Sequence, residues 1–335
     1  MGPGAGRCDG RRRPALRGTC RGLADGRPSV HADQRLCGAP TRCPGLRAGR
    51  APRRGIRCDL HDRGLPRLAA AVAGLTVRPA GGGSRSFVFP TMGTMASLAI
   101  ASHVGVETAD AAARACVDSL AGDERRFSHY SDSSDIERWR RGEPIDAKAL
   151  HEIRVVLDEC LLLEIASDGV FSVTNPGTGR LDTAGYVKGH AIGKAAEAIR
   201  HAGVDDFSLN VGGDTYCGGQ PAPDRAWRIG VAHPHRSRGV AAVVEVRDGA
   251  VATSGIAQRG DHIWHVRPSQ ALAPSRIVSF TVTGPDIATA DAYATIGFAM
   301  GERGIAWVNA HEGFGSLAIR ADGRMTGDAP GLLAG

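Results

Sequence analysis

Residues 181–214 read LDTAGYVKGHAIGKAAEAIRHAGVDDFSLNVGGD, and the rest of the chain is organised around this stretch. Thr183-Ala184-Gly185 has side chains small enough for a ligand to lie close to the backbone. Lys188 follows at the start of a helical pattern, where unpaired backbone N–H groups already favour anions. The helix carries Ala191, Ile192, Ala195, Ala196 and Ile199 inward, and Gly203 stands where a C-terminal cap belongs. Phe207, Leu209 and Val211 then alternate with Ser208 and Asn210, the period of a half-buried strand. That strand delivers Asn210, Gly212, Gly213 and Asp214 to one place. Two glycine turns around a helix, with one cation and one anion between them, point to a nucleotide or another phosphorylated ligand.

On the N-terminal side, Phe87-Val88-Phe89-Pro90 runs into Met92-Gly93-Thr94, and Ala96 to Ile100 resumes as a strand. Val106 to about Ala121 has a helical stripe of Ala109, Ala113, Cys116, Val117 and Leu120. A polar loop, Arg126 to Ser133, leads to a short helix capped by Asp135. A long helix over Ala149 to Ala166 is expected to bury Leu150, Ile153, Leu157, Cys160, Leu161 and Ile165; Val170 to Asn175 reads as a strand.

On the C-terminal side, Trp227–Val231, Ala241–Val246 and Gly249–Thr253 read as successive antiparallel strands, followed by another over Ile277–Val282. A helix over Ile287–Met300 and a strand over Ser316–Ile319, turning at Ala321-Asp322-Gly323, complete the pattern. Strands outnumber helices and do not alternate regularly with them, so the expected class is α+β.

Composition divides the chain. Residues 1–85 hold eighteen Arg, no Lys and five Asp, a net charge of +13; the remaining 250 residues carry −7. This first segment, rich in Arg, Gly and Pro, lacks the apolar content to offset chain entropy and is expected to be a disordered extension. Its composition also fits translation from a start assigned upstream of the true one. A folded domain is expected over 86–330. A basic arm is compatible with an anionic partner, but the acidic globular part gives no support for nucleic-acid binding.

None of the eight cysteines forms a C-x-x-C pair, which argues against a zinc ribbon, and Cys116 and Cys160 fit apolar helical faces as buried core. No run of about 20 apolar residues spans a membrane. Leu68–Val77 is too short, and too far from Met1, to act as a signal. The chain as written is expected in the cytoplasm.

Asp291 and Thr295, four apart on the C-terminal helix, share a face and offer two oxygens suited to a hard cation such as Mg²⁺. The bland alternative is a solvated Asp beside a Thr packing by its methyl, but flanking alanines leave room for close approach. Thr253-Ser254-Gly255 either donates to phosphate or ribose oxygens or simply closes a turn. His262 is a candidate general base in a chain of 12 histidines, most of which are structural. There is no G-x-G-x-x-G fingerprint and no G-K-[ST] P-loop.

Taken in order, several motifs resemble the FAD:protein FMN transferase (ApbE) family. They are Met92-Gly93-Thr94; Arg126-Phe127-Ser128 through Ser134; Asp182 with Gly185, Lys188 and Gly189; and Asn210 through Asp214. Trp227-Arg228-Ile229-Gly230, Val251 through Gly255, His262 and Ala290 through Thr295 continue the series, so that the likeness covers about residues 86–330. The resemblance implies an α+β, T-fold-related architecture of mixed and antiparallel sheets with packed helices, and an FAD cleft between two lobes. It implies FAD as substrate, Mg²⁺ as cofactor and an acceptor flavoprotein whose Thr or Ser hydroxyl receives FMN as AMP leaves.

Carried over motif by motif, Asp291, Thr295 and the carbonyl of Val187 would hold Mg²⁺. Lys188, Thr253 and Ser254 would face the phosphates. Met92, Gly93, Thr94, Phe171, Asn210, Gly212 and Gly213 would line the FAD cleft, and His262 would take the acceptor's proton. Ser172 replaces the family's usual acid, Ala184 its first turn glycine, and His265-Val266-Arg267-Pro268-Ser269 its D-P-x-T-G. The last change keeps two alternatives open: an FAD-binding protein without transferase activity, and an FAD pyrophosphatase giving FMN and AMP.

Overall fold

The computed structural model describes residues 76–79, 85–175, 178–236, 239–256 and 276–333. They all belong to one unit spanning residues 59–335. In chain order the elements are β1 (Thr76–Pro79), β2 (Arg85–Thr91), β3 (Thr94–Ile100), α1 (Val106–Phe127), α2 (Asp135–Arg140), α3 (Ala147–Ala166) and α4 (Ala184–His201). They continue with β4 (Phe207–Val211), β5 (Asp214–Gly218), β6 (Trp227–Ala232), β7 (Val240–Val246), β8 (Gly249–Gly255) and β9 (Ile277–Gly284). The last are α5 (Ile287–Met300), α6 (Glu302–Asn309), β10 (Gly315–Arg320), β11 (Met325–Gly327) and β12 (Leu332–Leu333).

Nine strands form one sheet in the order β1-β2-β3-β4-β5-β8-β9-β10-β11, and three form a second in the order β12-β7-β6. The fold is α+β, as the element pattern implies. Helices α1, α4 and α5 pack on one face of the large sheet around Phe87, Leu98, Leu120, Ile192, Leu209 and Phe280. The small sheet packs on the other face through Val231, Val244, Val251, Leu317 and Ile319. A third cluster beneath α2 and α3 joins Phe127, Ile136, Ile153, Cys160, Phe171 and Val187. Helix α5 is buried almost all round, as its lack of a polar face requires, and Asp286 caps it by accepting Thr289 N–H at 2.7 Å.

Several expectations need correction. β1 lies ahead of residue 86 and pairs with β2, from Thr76 opposite Val88 to Pro79 opposite Arg85. Ser134, not Asp135, caps α2: its side chain accepts Glu137 N–H. In α3 the buried positions are Ala149, Ile153, Val156, Cys160 and Leu163, whereas Leu161 and Ile165 are 54% and 69% exposed. Leu161-Leu162-Leu163 puts an apolar residue at every angle, so periodicity alone cannot choose the face. Val170 to Asn175 is not a strand; only Thr174 bridges, to Leu181. β8 is not the next strand beside β7 but inserts between β5 and β9 in the large sheet.

Candidate active site

Two tight hairpins stand side by side at one end of the large sheet. In β4–β5, Val211 pairs with Asp214 across Gly212 and Gly213, at φ 60° and 103°. Both turn residues need positive φ, which glycine adopts without steric cost. In β2–β3, Thr91 pairs with Thr94 across Met92 (φ 48°) and Gly93 (φ 72°). Met92 is a non-glycine held in the left-handed region, an uncommon state that surrounding contacts must enforce. Its N–H donates to Glu124 Oε2 at 3.0 Å, and its side chain touches both helical cores. The hairpins are linked because Gly212 N–H donates to the Met95 carbonyl at 3.1 Å. A Cβ on Gly212 would lie 3.1 Å from Thr94 Cγ2.

Beside these turns, β8 runs past the start of β5, since Thr215 pairs with Val251 and β5 begins at Asp214. The Thr253 N–H therefore has no opposing β5 residue and donates instead to Asp214 Oδ1 at 2.9 Å. Asp214 is fully buried, and its Oδ2 forms an ion pair with Lys188. Lys188 Nζ also lies 3.2 Å from Asp291 Oδ1. Asp291 Oδ2 accepts the Gly189 N–H at 3.0 Å, and one turn further along α5 Thr295 Oγ1 meets Ser254 Oγ at 3.1 Å. Residues far apart in sequence thus form one connected set: Lys188, Asp214, Thr253, Ser254, Asp291 and Thr295.

Its closeness depends on Gly189. A Cβ there would stand 2.7 Å from both Ala288 Cα and the Ile287 carbonyl oxygen, and 2.9 Å from Asp291 Cβ. Glycine lets α4 and α5 touch backbone to backbone, which puts Lys188 and Asp291 within reach.

Strand alternation divides the site between the sheet's two faces. Asp214 and Ser254 face the helices, where they meet Lys188 and Thr295. Ser208, Asn210, Thr215 and Thr253 line a cleft of ≈ 290 Å³ on the other face, opposite Arg228 to Ala232 of β6. Asn210 Nδ2 donates to Thr215 Oγ1 at 2.8 Å, and Thr253 Oγ1 meets Thr281 Oγ1 at 2.9 Å. The low turn Gly212-Gly213 separates the buried ion pairs from the cleft, and Gly213 lines the latter.

The other expected residues fall around this set. Phe171 is buried, with its ring edge 3.0 Å from where a Cβ on Gly185 would stand. Val187 lies in the first turn of α4 with its side chain in the third cluster. His262 and residues 265–269 lie outside the described residues.

Two features escape the sequence reading. Asp214 has its lysine, and the second acid on that lysine, on other elements, which no local spacing reveals. His129, in the polar loop after α1, holds the entry to α4. Its Nε2 accepts the Thr183 N–H at 3.1 Å, so the ring's proton is on Nδ1, which donates to Glu137 Oε1 at 3.0 Å. Burial opposes ionisation of Glu137, but hydrogen bonds from His129 and Arg140 hold its carboxyl below the usual range.

The three cysteines among the described residues, Cys116, Cys160 and Cys217, are unpaired and buried. Burial pushes each thiol up to about 12, and all three are core, as expected for Cys116 and Cys160. Among the described residues no three His, Cys, Asp or Glu side chains gather as a metal site, and no helix is long and apolar enough to cross a membrane.

Comparison with known proteins shows what this arrangement is similar to. The ApbE family model matches residues 174–317, from the turn before α4 into β10. An FAD:protein FMN transferase of Vibrio cholerae is 30% identical over 141 residues, 39% of this chain and 42% of that protein. One from Rhodobacter capsulatus is 32% identical over 162 residues, 46% of this chain and 29% of that protein. The chain therefore spans less than half the length of the curated relatives it matches. The solved flavin transferase ApbE from Vibrio cholerae aligns with TM-score 0.57 at 20% identity, over 74% of this chain and 97% of that one. The ApbE protein of Thermotoga maritima gives 0.59 at 20% identity, over 72% and 96%. At such identity the likeness carries the ApbE fold.

Proposed function

We propose that this chain is an Mg²⁺-dependent transferase that moves FMN from FAD to a Thr or Ser hydroxyl of an acceptor flavoprotein and releases AMP. The observation that supports this reading most is the meeting of Lys188, Asp291, Thr295 and Ser254 at the sheet end beside two glycine turns. In the reaction the acceptor oxygen forms a bond to the FMN phosphorus, the bond from that phosphorus to the AMP oxygen breaks, and the hydroxyl proton goes to a base. The curated relatives carry the name FAD:protein FMN transferase.

Asp291 and Thr295 form an all-oxygen donor pair one turn apart on α5, which fits a hard cation. With the carbonyl of Val187 they would hold Mg²⁺, which when bound would neutralise phosphate charge. This chain's own groups supply the rest. Lys188 brings a buried positive charge to the phosphates, where low polarity makes it effective. Gly212-Gly213 lets the pyrophosphate cross the end of the sheet. Thr253 and Ser254 donate hydroxyls, one toward each face, and Asn210 lines the cleft. His262 is assigned as the base, with alignment of the hydroxyl supplying much of the rate.

The test is to incubate the purified chain with FAD, Mg²⁺ and a flavoprotein acceptor, and to weigh the acceptor. A gain equal to one FMN, with equimolar AMP, is expected. AMP and free FMN without an acceptor would mean pyrophosphatase activity, and unchanged FAD would mean a binding protein; either overturns the proposal.

A further inference from the structure

We infer that Asp214 is a positioning residue that keeps Lys188 available to step off Asp291 when a divalent cation arrives there. The inference rests on the proposed cation site at Asp291 and Thr295 and adds a residue that does not itself ligate the ion. The geometry is that of a shared lysine. Lys188 Nζ pairs with Asp214 Oδ2 and stands 3.2 Å from Asp291 Oδ1, the one Asp291 oxygen not occupied by the Gly189 N–H. A cation taking Asp291 Oδ1 must share that oxygen with the ammonium or displace it. Displacement into a buried space without a counter-charge would be costly, because the lysine side chain is only 10% exposed. Asp214 removes that cost by holding the ammonium after it leaves Asp291.

Asp214 is well fixed for this. Its carboxylate is fully buried, and its second oxygen is anchored by the Thr253 N–H at 2.9 Å, so it cannot swing toward the cation. The same anchor ties the arrangement to β8, which carries Ser254 against Thr295. A lysine moving between two fixed carboxylates would let the site exchange one positive charge for another without leaving an acid unpaired. Asp214 acts through Lys188, not on the cation, and this separates it from an ordinary ligand.

A double-mutant cycle reads this directly. Mn²⁺ affinity is measured by the electron paramagnetic resonance signal of the free ion, without FAD, in the native chain, Asp214→Asn, Lys188→Met and the double variant. The expected results are a loss of about tenfold in Asp214→Asn, and less than about threefold between Lys188→Met and the double variant, the coupling typical of residues in contact. An equal loss from Asp214→Asn in both backgrounds would overturn the inference, because Asp214 would then act on the cation or the fold directly. Unchanged affinity in Asp214→Asn would also overturn it. If the Asn variants fail to fold, Lys188→Met alone decides: affinity at or above the native level is expected, and weaker binding refutes the exchange. A native chain that binds no Mn²⁺ would overturn the proposed metal site itself, an outcome distinct from the others.

Discussion

Helix α4 carries two lysines six residues apart, and each is held between two carboxylates. Lys188 meets Asp214 and Asp291; Lys194 meets Asp123 Oδ1 and Glu152 Oε2, each at 2.7 Å. Their surroundings differ. Lys194 lies among α1, α3 and α4, is a third exposed, and shares Glu152 with Arg126 at 2.6 Å. Burial alone would lower its pKa, but the bonds to Asp123 and Glu152 raise it, so the cluster is a settled ion network. Lys188 is buried at a sheet end, with three hydroxyl residues and two glycine turns nearby. A lysine between two acids is therefore not evidence of function by itself. The hydroxyls and the bare backbone around Lys188 are what distinguish the proposed site from the Lys194 network.

The largest effect expected is on Asp291. Asp291→Ala should reduce metal-dependent turnover by about 100-fold, the loss usual for a group that stabilises developing charge. It should do so without unfolding the chain, checked by circular dichroism. Parity with the native chain would remove Asp291 from the site and make the two lysines equivalent.

Gly189→Ala attacks the backbone contact that sets Lys188 against Asp291. Its Cβ would press on backbone atoms at 2.7 Å, so thermal melts should show a loss of about 2–3 kcal/mol. An unchanged melt would show that α4 and α5 can separate freely.

Lys194→Met should cost about 2 kcal/mol in urea unfolding and leave turnover per folded molecule intact. The usual figure for stranding a buried acid is about 3–5 kcal/mol, and Arg126, 3.7 Å from Asp123, compensates part of it. A fall in turnover would mean that this network also serves the reaction.

The smallest effect concerns His190, between Phe127 and Tyr186 on the same helix. Burial lowers its pKa below the ordinary 6.5, so the folded chain keeps it neutral while the unfolded chain takes up a proton. Stability should be unaffected above about pH 6.5 and fall as pH drops from there toward the folded value. Urea midpoints at pH 7.5 and 5.5 in His190→Phe should lose that slope; an unchanged slope would assign it elsewhere.

How much of this was legible in the sequence follows from the range of each interaction. The spacing of Asp291 and Thr295 placed both on one helix face, and Phe207, Leu209 and Val211 marked their strand, because both patterns are local. The Lys188–Asp214–Asp291 set was not legible, since its members lie on three elements that only tertiary packing joins. Asp214, the acid that ends the opening stretch, and Asp291, some 80 residues later, lie on the same lysine. Nor could alternation within β8 show that it belongs to the large sheet, because strand period identifies faces and not neighbours. Leu161 and Ile165 misled for a related reason: a helix with too many apolar residues does not declare which face is covered.

Of the two lysine clusters on α4, the proposed function places FAD at the one around Lys188. Quenching of FAD fluorescence, titrated with and without Mg²⁺, tests this in the native chain, Asp291→Ala and Lys194→Met. The prediction is Mg²⁺-dependent binding in the native chain, retained by folded Lys194→Met and lost in Asp291→Ala. Equal binding by all three, or loss in Lys194→Met alone, would contradict it.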